Sequence, residues 1–140
     1  MKKYQNIPYG LQDYLPLEYS HKAKIENKIA SSFERSGYKM VETPILEYMD
    51  VFSIENIGFE AEDMFKLTDS NGSLLVLRPD ITMPIARMAA TKLKDEDNLK
   101  LCYCGNVFHL KGEKKEGYKQ VTQIGIELMG DDSYNADAEC

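Results

Sequence analysis

The chain has 140 residues with 43% hydrophobic and 29% charged residues and no tryptophan. Its 17 Lys and Arg stand against 23 Asp and Glu, a formal charge of −6, which argues against nucleic acid as a partner because phosphate neutralisation needs a basic surplus. No run approaches the ~18 apolar residues of a bilayer span, and Met1-Lys2-Lys3-Tyr4-Gln5-Asn6 has no apolar leader core, so the expectation is a cytoplasmic chain with no membrane partner.

The opening stretch, residues 7–16, carries Pro8, Gly10, Asp13 and Pro16 and predicts an irregular arm. Ile25, Ile29 and Phe33 then recur at helical spacing, predicting a helix over residues 17–35 that ends at Ser36-Gly37, with glycine in the left-handed position past the helix end. Residues 38–42 predict a short strand. Thr43-Pro44 stops it, so it lies at a sheet edge or finishes there, because proline has no N–H to donate. Residues 45–52 fit either a strand or a short helix.

Residues 64–68 and 73–78 predict two strands joined by Asp69-Ser70-Asn71-Gly72, an Asn-Gly hairpin signal. Pro79-Asp80-Ile81-Thr82 breaks the second strand, and Asp80 or Thr82 is placed to cap a helix reaching about Leu93. Residues 99–110 and 118–129 predict a long hairpin with a charged loop over residues 111–117. Gly130-Asp131-Asp132 predicts a turn, and residues 135–139 look like a helix start with no helix after it, as in a fragment. Helix, hairpin, helix and long hairpin make an α+β domain built on an antiparallel sheet.

The three cysteines, Cys102, Cys104 and Cys140, are better read as reduced thiols than as a zinc site: C-x-C is too tight, and the two histidines, His21 and His109, lie far apart. No metal and no cofactor are expected. Phosphate-loop, dinucleotide, zinc-protease and nucleophile-elbow motifs are absent from the sequence. A Cys104–His109 nucleophile pair is disfavoured because strand alternation puts the two on opposite faces. The same alternation gathers Gln123, Gly125 and Glu127 on one face. A glycine between two polar residues leaves room for a ligand or another backbone to approach. Two polar side chains there suit either a solvated sheet face or a pocket for an amine or imidazole.

Several segments together resemble the class II synthetase family, histidyl-tRNA synthetases in particular. Gly10-Leu11-Gln12-Asp13-Tyr14-Leu15-Pro16 is similar to the opening of that family. The segment from Tyr38 to Glu47 resembles motif 1, the dimer-forming segment; Leu77-Arg78-Pro79-Asp80-Ile81-Thr82 resembles L-R-P-E-G-T; residues 103–127 resemble motif 2 and its following strand; Asp137-Ala138-Glu139 matches D-A-E. The resemblance covers essentially all 140 residues in order. It implies a class II synthetase-like antiparallel sheet with flanking helices, present as the N-terminal portion of a larger domain over residues 1–140.

The departures point to a particular branch. Synthetase motif 2 reads F-R-x-E, whereas this chain has Phe108-His109-Leu110-Lys111. His109 lacks the fixed charge and fork of arginine, and Lys111 puts a donor-only cation where an acceptor belongs. Losing such a donor at a reacting phosphate costs about 10²–10³ in rate, so adenylation is not expected. Asp80-Ile81-Thr82 and Leu101-Cys102-Tyr103-Cys104-Gly105-Asn106-Val107-Phe108 instead resemble the non-catalytic paralogues that serve as regulatory subunits of ATP phosphoribosyltransferase, in the first step of histidine biosynthesis. The resemblance implies histidine binding by Asp80, Thr82, Gln123 and Glu127, with the carboxylate contact falling on His109. It also implies allosteric regulation by L-histidine as effector, a catalytic ATP phosphoribosyltransferase subunit as partner, and dimerisation through the segment from Tyr38 to Glu47. The competing reading is a fragment of a histidyl-tRNA synthetase, with histidine activation and tRNA aminoacylation; a third is a dimerisation module with no ligand.

Overall fold

The structure is a computed structural model describing residues 5–53, 58–111 and 117–139. The arm over the first described residues is irregular, and α1 spans Pro16–Arg35, one residue earlier than predicted because Pro16 occupies the first helical position, where its missing N–H costs nothing. Glu18 Oε2 accepts the Leu15 N–H at 3.0 Å. At the other end Tyr38 N–H reaches Phe33 O at 3.1 Å and Gly37 N–H reaches Glu34 O at 3.0 Å, with Gly37 at φ +90°. This is a Schellman ending, and the Phe33 and Tyr38 rings, 6.4 Å apart, supply its apolar contact.

Two three-stranded sheets follow. The first has the order β1-β5-β6, with β1 at Lys39–Met40, β5 at Leu99–Phe108 and β6 at Gln120–Met129. The predicted long hairpin is present, antiparallel from Leu99↔Met129 to Phe108↔Gln120. β1 is an edge strand, as Pro44 requires, but it pairs with β5 in parallel, Lys39 opposite Leu101, and the Val41 N–H extends the ladder to Cys102 O at 2.9 Å. The predicted antiparallel sheet thus carries one parallel edge.

The second sheet has the order β2-β4-β3, all antiparallel: β2 at Leu46–Tyr48, β3 at Lys66–Thr68 and β4 at Leu74–Leu77. Residues 45–52, open between strand and helix in sequence, are both, because β2 runs directly into a 3-10 turn at Met49–Phe52. The β3–β4 hairpin turns on Asp69, whose Oδ1 accepts the N–H groups of Asn71 and Ser73, both at 2.8 Å. Those backbone donors, Ser73 foremost, hold the Asp69 carboxyl below its ordinary range.

Helix α2, Thr82–Lys92, lies on one face of the first sheet, where Ile81 and Ile85 pack with Leu101, Tyr103 and Val107. A second core, Phe52, Met64 and Val76, sits beneath the small sheet. α1 covers the opposite face of β5 and β6, where Lys22 and Glu26 lie near Cys104. Cys102 and Cys104 are both free thiols, pushed up in pKa chiefly by burial. A short helix α3, Tyr134–Glu139, closes the described chain, and Glu139 takes the Lys100 ammonium at 2.7 Å. Among the described residues no helix is long and apolar enough to cross a membrane, and no group of three His, Cys, Asp or Glu could hold a metal ion.

Candidate functional site

Asp80 and Thr82 lie where β4 turns into α2, while Gln123 and Glu127 lie on β6. The register sets Gln123 opposite Gly105, Gly125 opposite Tyr103 and Glu127 opposite Leu101. The three β6 residues therefore share one face, as period-two alternation predicts, and it is the face that α2 covers.

Gln123 latches the two parts together. Its Nε2 donates to Asp80 Oδ2 at 2.8 Å and its Oε1 accepts the Ile81 N–H at 3.1 Å. Asp80 Oδ1 accepts the Met83 N–H at 3.3 Å, so of the two predicted capping residues it is Asp80 that reaches the first turn of α2. The Thr82 hydroxyl faces both Tyr103 and Glu127 and works to lower the pKa of each. Burial pushes the Glu127 carboxyl up, Thr82 opposes that shift, and the Asp80 charge adds to it. Burial likewise raises the Tyr103 phenol, with Thr82 opposing and Glu127 and Asp80 adding.

The four candidate residues thus come together around a fifth, Tyr103, to which the sequence reading gave no part in the site. The space above Gly125 is not open to a ligand, as its spacing suggested. A Cβ there would lie 2.5 Å from Tyr103 Oη and 2.7 Å from Cζ, so the glycine admits the cross-strand phenol. The available signal was an aromatic residue directly across a hairpin from a glycine; reading it requires the register, not the residue alone.

His109 is set apart from this cluster. It follows the end of β5, with its N–H on Lys119 O at 2.9 Å. Its backbone is four residues past Gly105, about 13 Å of extended chain. Lys111 forms an ion pair with Asp63, which also raises the lysine pKa. A groove of about 420 Å³, lined by Tyr14, Lys22, Ile25, Glu26, Tyr118 and Ile124 among others, opens on the α1 side of the sheet. The cluster, rather than that groove, is the candidate site, because convergent polar groups and not volume specify a small polar ligand. Two carboxylates, a carboxamide and a hydroxyl form an acceptor-rich set suited to an ammonium group and an imidazole N–H.

The family model described as histidyl-tRNA synthetase matches residues 10–140. The ATP phosphoribosyltransferase regulatory subunit of Clostridium acetobutylicum is 45% identical over 140 residues, 99% of this chain and 34% of its own. That of Acetivibrio thermocellus is 48% identical over 136 residues, 94% of this chain and 32% of its own. The chain therefore spans about a third of the length of these curated relatives. An ATP phosphoribosyltransferase regulatory subunit/histidyl-tRNA synthetase from Bacillus halodurans superposes with a TM-score of 0.84 at 38% identity, covering 96% of this chain and 35% of that one. Apo histidyl-tRNA synthetase of S. aureus gives 0.79 at 31% identity, covering 96% and 31%. With the α+β fold, the motif order and the family model in agreement, the chain belongs to the histidyl-tRNA synthetase family.

Proposed function

We propose that residues 1–140 are the N-terminal portion of a non-catalytic regulatory subunit of ATP phosphoribosyltransferase, sensing L-histidine at Asp80, Thr82, Gln123 and Glu127. The observation that carries this reading is a contrast within one hairpin. Gln123 grips Asp80 and the Ile81 N–H at 2.8 and 3.1 Å, with Thr82 and Glu127 beside them, while the positions matching the synthetase phosphate and adenine contacts hold His109 and Lys111, the latter engaged by Asp63. Asp80, Thr82 and Gln123 take the α-amino group, and Glu127 takes the imidazole N–H. The Asp80–Gln123 bond is exchanged in part for bonds to the ligand, and His109 is the residue matched to the carboxylate contact. Bound histidine biases a catalytic ATP phosphoribosyltransferase subunit by a coupling free energy, typically ~1–3 kcal/mol, and the subunit self-associates through the segment from Tyr38 to Glu47. The working compartment is the cytoplasm.

Titration calorimetry of histidine into the full-length protein with its catalytic partner is expected to show saturable binding. Absence of heat at millimolar histidine would overturn the sensing role. The synthetase reading is favoured by the match to histidyl-tRNA synthetase of S. aureus over 96% of the chain. Histidine-dependent pyrophosphate exchange by the full-length protein would establish that reading and displace ours.

A further inference from the structure

Arg78 is 4% exposed, an unusual place for a guanidinium. Burial lowers its pKa, and Glu42 works in the opposite sense. Its Nε donates to Asn106 O at 2.9 Å, and its Nη1 to Thr43 O at 2.6 Å, Thr43 Oγ1 at 3.0 Å and Pro44 O at 3.4 Å. Its own backbone is held as well, with its N–H on Ile45 O and its carbonyl accepting the Phe108 N–H, both at 3.0 Å. One residue thus ties the corner after β1, the end of β5 and the start of the turn carrying Asp80.

The guanidinium reaches this position only because residue 105 is glycine. A Cβ at Gly105 would collide with Arg78 Nη2 and lie 3.2 Å from Ile81 Cδ1. Gly105 is the cross-strand partner of Gln123, which grips Asp80 and the Ile81 N–H. The turn is therefore pinned on both sides of one strand pair, by Arg78 above Gly105 and by Gln123 beside it.

We infer that Arg78, seated on Gly105, is a positioning residue: it sets Asp80 and Thr82 over Gln123 and so fixes the geometry of the ligand-binding quartet. This rests on the proposed histidine site for its functional consequence, while the clamp itself can be read without ligand. Lysine cannot replace it, since a point-like ammonium cannot span acceptors on three segments as a planar fork does.

The test uses the full-length protein and its R78K, G105A and T43V variants. Hydrogen exchange without ligand is expected to quicken about tenfold at the Ile81 and Met83 amides in R78K and G105A, with the α1 amides unchanged. Titration with L-histidine, at a temperature where each variant is folded, is expected to show affinity lowered about tenfold, a change equal to the loss of one good hydrogen bond. T43V, which deletes one acceptor, is expected to give about a threefold effect in both and carries the test if the stronger variants fail to fold. A purely structural arginine would speed exchange throughout and leave the affinity of the folded protein unchanged. Unchanged exchange at Ile81 and Met83 in the folded variants, or unchanged affinity where wild type binds, overturns the inference. If wild type itself takes no histidine while local exchange quickens, the clamp stands and the proposed function fails.

Discussion

Glu127 sits partly buried on the α2 side of β6, beside the Thr82 hydroxyl and within reach of the Asp80 charge. Its carboxyl titrates above the ordinary glutamate range because burial penalises the anion. The folded state therefore holds its proton more tightly than the unfolded one does. The associated stability is fully present below the unfolded pKa and lost as pH rises through the folded value. At neutral pH the ionised side chain is a cost to the fold, one that a cationic ligand would offset. Glu127→Gln keeps the shape but removes the charge. We expect thermal melts to place the variant a few degrees above wild type at pH 7 and level with it near pH 3.5. Calorimetry should show histidine affinity falling roughly 10- to 100-fold, the worth of a charge-assisted hydrogen bond. A variant less stable than wild type at both pH values would refute the assignment of burial as the dominant cause.

At the scale of elements, the ends of α1 were legible in sequence because their signals are local. Pro16 opens the helix and Gly37 closes it at φ +90°. A Cβ on Gly37 would meet nothing within 4 Å, so Gly37→Ala isolates the backbone term. Urea denaturation should show a loss of about 1–2 kcal/mol, the cost of a left-handed L residue, with an unchanged m-value. Both hairpins were legible for the same reason, since turn residues and alternation sit within a few positions of each other.

Pairings across long separations were not legible. β1 chooses β5 and lies parallel to it, and β2 chooses β4, through contacts that no local pattern encodes. The site divides along the same line. Alternation alone puts Gln123 and Glu127 on one face, but the separation of 43 positions from Asp80 to Gln123 is bridged in sequence only by family resemblance. Tyr103 and Arg78 escaped even that, because their roles depend on which glycine the register sets beneath them.

At the scale of the molecule, the accessible surface is 10127 Å², against the roughly 7,400 Å² expected for a compact chain of this mass. Two described surfaces contribute to the exposed area. α1 buries none of its residues, and Leu46, Tyr48 and Leu67 share one outward face of the small sheet, each more than 40% exposed. Apolar faces of this kind mark surfaces made for contact. One of them begins within the segment from Tyr38 to Glu47, proposed above for self-association. That segment is joined to the candidate site by two arginines: Arg78 holds Thr43 and Pro44, and Arg87 of α2 holds the buried Glu47 at 2.7 Å. If both sites act through these ties, linkage requires the effect to be reciprocal: the factor by which histidine changes dimer affinity is the factor by which dimerisation changes histidine affinity. Sedimentation of the full-length protein with and without histidine is expected to show the dimer dissociation constant shift by about fivefold or more. Glu47→Ala, which cuts one of the two ties, should reduce that shift while leaving the quartet, and hence histidine binding by the monomer, in place. A dissociation constant indifferent to histidine in the wild-type protein would mean that the arginine ties stabilise the fold without carrying the signal.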